Sequence, residues 1–217
     1  MKKIFSSQDI EQMDRRYRGN LINSLGGYKS AVLVGTADKQ CRTNLAIFNS
    51  LFHIGADPAL WGMVVRPCVP GCNTLGNILA TGVYTLNHIT SSMMPQAHQC
   101  SAKYPEGVSE FEAVGWEAEF WGDFLAPFVK VSPIKVACEL VKTIDLELNG
   151  TTLVVGKLIQ IELPEQALGK DGFVNLVESH SLLSSGLDAY ALSQPLTRFS
   201  YAKAEQSPTV IQGFGLI

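Results

Sequence analysis

Residues 144–163 read IDLELNGTTLVVGKLIQIEL. Asn149-Gly150 stands between two runs of alternating apolar and polar residues, the strongest hairpin signal in the chain. Leu146 and Leu148 lead in, and Leu153, Val155, Ile159 and Ile161 lead out. The same grammar recurs upstream. SAVLVGT (30–36) and RTNLAIFNS (42–50) are joined by the polar turn ADKQ and predict a second hairpin. LWGMVVR (60–66), introduced by the turn signal GADP, and VYTLNHI (83–89) are further strands.

Helices are few and short. Ser7 is a candidate N-cap for a leading helix with Ile10, Met13, Tyr17 and Leu21 on one face, ending by Gly26-Gly27. TLGNILATG predicts a short helix that buries Leu75, Ile78 and Leu79 and stops at Gly82. Residues 91–125, rich in Met, Glu, Gln and Trp, read as a helical insert in which Trp116 and Trp121 serve packing first. The tail from about Gly169 is mostly irregular. With no repeat, low-complexity tract or linker, residues 1–217 read as a single domain. The insert lies at about 91–125, and residues 166–217 form a C-terminal extension. Many strands with few long helices point to one antiparallel barrel or sandwich with helical decoration. A parallel sheet would need a helix after nearly every strand.

Composition narrows the function. The chain has 217 residues, 46% hydrophobic and 17% charged, with a formal charge of −3. Its Lys and Arg residues are scattered, so no basic face is present to hold nucleic acid. No apolar run is long enough to cross a bilayer, and the polar SSQDIEQMD after Met-Lys-Lys offers no signal-peptide core. The reading is a cytoplasmic protein with neither a nucleic-acid nor a membrane partner. Five cysteines, Cys41, Cys68, Cys72, Cys100 and Cys138, are odd in number and too widely spaced to suggest a disulfide framework. Cys68 and Cys72 in CVPGC have no second Cys/His pair at ligand spacing, so no metal site is assigned. There is no G-x-G-x-x-G, no Walker lysine loop, no H-E-x-x-H and no G-x-S-x-G. His53, His88, His98 and His180 are isolated from one another. No residue is assigned a catalytic role.

One stretch breaks the apolar rule. NLAIFNSLFH (44–53) is apolar enough for a buried strand, yet it carries Asn44, Asn49 and Ser50. Buried polar groups are costly without partners. The partners are either inside the protein or on a ligand.

Three segments in order resemble the flavin reductase-like family, a resemblance that covers about residues 16–165 and implies the domain core there. They are LVGTADKQCRTNLAIFNSLFHIGADPALWGMVVRP, NTLGNILATGVYTLNHI and IDLELNGTTLVVGKLIQIEL. The resemblance implies a mainly β fold: a six-stranded antiparallel Greek-key split β-barrel with peripheral helices, forming a homodimer with FMN near the subunit interface. It implies that Asn44, Ala46, Phe48, Asn49, Ser50 and Leu51 line the flavin, with Asn49 and Ser50 offering hydrogen bonds. Arg66, Asn73, Thr74 and Asn77 fall at the phosphate end, where a guanidinium and a helix N-terminus favour an anion. Arg198 and Tyr201 are candidates to reach the flavin or the partner subunit. The implied activity is an FMN-dependent oxidoreductase with NAD(P)H as electron donor, of the flavin reductase or flavoredoxin-like type. The alternatives are a flavin-binding electron carrier without NAD(P)H turnover and a barrel that binds another small ligand such as haem.

Overall fold

The computed structural model describes residues 1–213 apart from 68–72, 106 and 196. The chain opens with helices α1 (Ser7–Gln12) and α2 (Arg15–Leu25). Strands β1 (Tyr28–Ser30), β2 (Val32–Ala37), β3 (Thr43–Phe48), β4 (Phe52–Ala56) and β5 (Ala59–Val65) follow. Next come α3 (Thr74–Thr81), β6 (Val83–His88), α4 (Met94–Gln99), α5 (Glu110–Val114), β7 (Ala118–Glu119) and β8 (Phe128–Val129). The long strands β9 (Lys135–Leu146) and β10 (Thr151–Glu162) precede β11 (Leu182–Ser185), β12 (Ala189–Leu192), β13 (Thr197–Phe199) and β14 (Val210–Gly213).

Seven strands form the main sheet, in the order β3-β2-β6-β9-β10-β5-β4, and every neighbouring pair is antiparallel. Its two edge strands, β3 and β4, are consecutive in sequence, joined only by Asn49, Ser50 and Leu51. Four Cα steps reach at most about 14 Å. The sheet must therefore curl until its edges nearly meet, which makes a barrel split along one seam. Side chains stitch that seam. Ser50 Oγ donates to the Val64 carbonyl (2.8 Å) and accepts from the Val64 N–H (3.1 Å), tying the end of β3 to β5. Asn49 Nδ2 donates to the Gly186 carbonyl (2.8 Å), just past β11. The polar residues in the apolar stretch thus have partners inside the protein.

The two hairpins expected from turn chemistry form. β2 pairs with β3 from Val32↔Phe48 to Ala37↔Thr43. Asp38 closes their turn by accepting from the N–H groups of Gln40 and Arg42, both at 2.9 Å. β9 and β10 pair from Leu146↔Thr151 outward. Gly150 takes φ +69° there, and Asn149 Oδ1 accepts from Thr151 N (3.1 Å). Leu148 belongs to the turn and is fully exposed instead of extending the strand.

Four expectations need correction. Leu79 of α3 is 56% exposed and not buried with Ile78. The main sheet has seven strands, not six: GADP is the turn of a β4–β5 hairpin (Phe52↔Gly62 to Ala56↔Ala59), and FHIGA is a strand in its own right. That edge strand is largely exposed, so it lacks a buried apolar run. The leading helix is two helices, because Asp14 accepts from the N–H groups of Arg16 and Tyr17 (2.9 and 3.0 Å) and starts a new one. The first cap is Ser6, in a capping box with Asp9, not Ser7.

Two apolar clusters flank β2, all six residues of which are buried. Val32, Val34, Met63, Tyr84, Leu86, Val136 and Val154 fill the barrel. Leu33, Leu45 and Ile89 pack on the other side under Met93, Ala97 and Phe111 of the insert. Trp116 packs against this second cluster, and Trp121 stacks on Phe128 with ring centroids 3.8 Å apart. Lys135, 4% exposed, holds Glu119 (2.6 Å) and Glu162 (2.9 Å) and so pins the insert to the barrel. Cys41, Cys100 and Cys138 are free thiols; Cys68 and Cys72 lie outside the described residues. No described helix is long and apolar enough to cross a membrane.

Candidate functional site

A cavity of about 950 Å³ lies along β3. Period-two alternation puts Asn44, Ala46 and Phe48 on one face of the strand, opposite Leu45 and Ile47. Asn44, Ala46, Phe48, Asn49, Ser50, Arg66, Asn73 and Thr74 all line this one cavity. Leu51 and Asn77 do not. Leu51 packs against the barrel core, and Asn77 is buried behind the wall.

At the start of β3, a small polar network fixes the wall. Thr36, fully buried, accepts from Asn44 Nδ2 and from Asn77 Nδ2, each at 3.1 Å. Asn44 Nδ2 also donates to Thr74 Oγ1 (3.1 Å). Thr74 is the first residue of α3, and Asn73 holds its N-cap position without a side-chain capping bond. The first N–H groups of a helix have no intrahelical acceptor, and its dipole favours an anion there.

The other end of β3 is polar for a different reason. Beyond Phe48 the chain leaves the ladder, and no backbone carbonyl among the described residues accepts from the N–H of Asn49, Ser50 or Leu51. The side chains of Asn49 and Ser50 are committed to Gly186 and Val64, so what these residues can present to a ligand is backbone. Arg66, just past β5, is exposed and donates to Asn23 Oδ1 (3.4 Å).

Residues that no local pattern marked complete the wall. The insert contributes His98, Cys100, Lys103 and Glu110, and the C-terminal extension contributes Ser184, Leu187 and Tyr190. His98 Nδ1 and the Tyr190 hydroxyl are 2.9 Å apart and join the two segments. They are 92 residues apart in sequence, which is why no spacing rule finds them. Glu110 accepts from the Leu45 N–H (2.9 Å); burial raises its pKa, and that hydrogen bond works against the rise. The Cys100 thiol is pushed up to about 12 by burial and by the charge of Glu110, so it stays protonated and is no nucleophile. Lys29 and Lys103 also line the cavity, and Lys29 shares Asn23 with Arg66.

Other candidates fall elsewhere. His53 is exposed on β4, outside the cavity wall. His88 is pushed down to about 4 by burial and bonds Ser181 Oγ (3.0 Å), a structural histidine. Arg198 pairs with Asp171 (2.7 Å) and lies over the Phe173 ring, and Tyr201 is exposed; neither lines the cavity.

Known proteins share this fold. The family model for the flavin reductase like domain matches residues 25–180. A split-barrel protein from Shewanella frigidimarina NCIMB 400, assigned as a flavin reductase, is 43% identical over 93% of this chain and 100% of its own, with a TM-score of 0.89. The 2-nitrobenzoate 2-nitroreductase of Pseudomonas fluorescens is 19% identical over 94% of this chain and 99% of its own, with a TM-score of 0.78. The flavoredoxin of Desulfovibrio vulgaris (Miyazaki F) is 18% identical over 83% of this chain and 93% of its own, with a TM-score of 0.68. The last two show the fold alone. No curated protein matches the chain. The family match takes in both hairpins, the seam and the whole of β3 and α3, and the chain accordingly belongs to the flavin reductase like domain family of flavin-binding oxidoreductases.

Proposed function

We propose that the cavity along β3 holds FMN and that the protein is an FMN-dependent oxidoreductase reduced by NADH or NADPH, working as a homodimer. One observation carries the reading: a single cavity joins an apolar strand face, free backbone donors at the seam and an unencumbered helix N-terminus. A cavity of about 950 Å³ is at the large end of small-ligand sites. The donor set fits the parts of FMN. Ala46 and Phe48 offer an apolar wall to a flat ring. The backbone N–H groups of Asn49 and Ser50 supply donors for the ring's polar edge. Thr74 accepts from Asn44, which leaves its own hydroxyl hydrogen to donate to a phosphate, alongside the N-terminal amides of α3 and the Asn73 carboxamide. Asn77 and Leu51 act from behind, the first by holding Thr36 and the second by packing on the core.

When bound, the flavin supplies hydride and electron transfer at its ring. The protein has to bind, orient and shield, and needs no acid–base side chain for that step. A thiol held protonated and a structural His88 are consistent with such a site.

The dimer reading rests on the outer face of the sheet. Cross-strand rows Ile144–Leu153–Val64 and Val155–Gly62–Phe52 make a contiguous apolar surface, with Ile144 41% and Phe52 43% exposed. Val64 also lines the cavity, so a second copy on this face would lie beside the ligand.

The test is the visible spectrum of the purified protein with FMN, before and after NADH or NADPH under argon. Bound flavin that bleaches with either nucleotide is the expected result. Failure to bind FMN overturns the reading, and bound flavin that neither nucleotide bleaches overturns the donor assignment.

A further inference from the structure

Two cations stand together at the seam end of the cavity, and among the described residues no acid pairs with either. Asn23, on α2, accepts from Lys29 Nζ through its backbone carbonyl (3.0 Å) and from the Arg66 guanidinium through Oδ1 (3.4 Å). Its own carboxamide nitrogen is tied to the Gly19 carbonyl (2.7 Å), so the asparagine is fixed in place. Neither Lys29 nor Arg66 forms an ion pair among the described residues. Like charges gathered at one point repel, and an arriving anion relieves that repulsion.

The strand register separates this pair from the start of α3. Lys29 is paired with Ser184, whose hydroxyl is 3.4 Å from Asn49 Nδ2, and Arg66 is two residues past Val64, which Ser50 holds. Both cations therefore sit at the Phe48 end of β3. Thr74 sits at the opposite end, on Asn44. Four residues of extended strand put Asn44 and Phe48 about 13 Å apart. The cavity has two anion-receptive poles.

We infer that the Lys29–Arg66 pair, positioned by Asn23, binds the pyrophosphate of a second nucleotide, the nicotinamide dinucleotide that brings the electrons. The inference rests on the flavin reading above, which places the flavin phosphate at α3 and leaves the second pole for another ligand. Two adjacent cations match the two charges of a pyrophosphate, and a guanidinium grips phosphoryl oxygens in bidentate fashion. Arg66, grouped by resemblance with Asn73 and Thr74, is thereby assigned to the second ligand.

The probe is ADP, which carries the pyrophosphate common to both nicotinamide dinucleotides, titrated calorimetrically into protein with and without FMN. In the Lys29→Gln/Arg66→Gln double variant, ADP affinity should fall about tenfold or more, the loss expected when charge-assisted contacts go. Lys29→Arg should keep most of the affinity, and the FMN Kd should stay within about twofold in both variants. No ADP binding to the parent chain, or equal ADP affinity in the double variant, overturns the inference. An FMN Kd that rises with that of ADP also overturns it, because both cations then serve the flavin's own phosphate. A chain that binds ADP through this pair but binds no FMN keeps the second site and overturns the flavin reading instead.

Discussion

Ser50→Ala removes one oxygen and tests what closes the barrel. That oxygen makes two hydrogen bonds to the backbone of one β5 residue: it donates to the Val64 carbonyl at 2.8 Å and accepts from the Val64 N–H at 3.1 Å. No other residue between β3 and β4 reaches β5 through a side-chain hydrogen bond among the described residues. A net hydrogen bond contributes about 1 kcal/mol, and leaving a partly buried backbone donor unmet costs about 1–3 kcal/mol. Val64 is only half-buried, so water recovers part of the loss and the lower end applies. The expected destabilisation is about 2 kcal/mol. For a chain of this size that lowers Tm by about 4–8 °C. Urea unfolding followed by circular dichroism reads the first figure and a thermal melt reads the second. The FMN Kd should move less than about tenfold, because the Ser50 hydroxyl is already engaged within the protein. A variant that unfolds like the parent chain but loses FMN would refute this reasoning and return Ser50 to the ligand. The same logic applies to converting Asn49 and Ser50 together to Val. Both lose seam contacts, so the double variant should lose stability, and FMN only to the extent that the loosened seam displaces the backbone donors of residues 49 and 50.

Other expectations follow from single groups. Thr74→Val removes a hydroxyl while keeping shape, and FMN affinity should fall about tenfold with riboflavin affinity unchanged, read by flavin fluorescence. His88 has a folded pKa near 4, below the ordinary value of 6.5, so the unfolded chain takes up the proton first as pH falls. Stability from this group is complete above about pH 6.5 and is lost between there and pH 4, at most about 2 kcal/mol by pH 5. Urea midpoints at pH 7 and pH 5 should differ more for the parent chain than for His88→Gln; equal differences would sink the assignment. Gly156→Ala places a Cβ 2.0 Å from the buried Tyr84 hydroxyl, so it should destabilise the barrel by about 2 kcal/mol or more, with a melt as readout. A Gly156→Ala melt unchanged from the parent would show that Tyr84 has room to move.

The sequence made the hairpins plain because turn chemistry is local. Asp38 in ADKQ and Asn149-Gly150 mark their own turns, and the alternation of Leu153, Val155, Ile159 and Ile161 marks a strand. β4 escaped because an exposed edge strand needs no apolar run, and its five residues include His53 and Gly55. The split into α1 and α2 escaped because the apolar face from Ile10 to Leu21 looks continuous, and only Asp14's side chain breaks it. Resemblance placed Asn44, Ala46, Phe48, Asn73 and Thr74 on what proves to be one cavity wall. It did not foresee that Asn49 and Ser50 serve the seam, since only the sheet order shows that β3 and β4 are opposite edges. His98, Glu110 and Tyr190 enter from the insert and the extension, so tertiary packing alone brings them to the wall.

The most direct measurement is an equilibrium titration of the purified protein with FMN and, separately, with riboflavin, followed by flavin fluorescence. A cavity with an apolar wall on β3 and a phosphate site at the start of α3 should bind both and hold FMN at least about tenfold more tightly, the margin of charge-assisted phosphate contacts. Equal affinity for the two flavins, or no binding of either, would contradict the site described here.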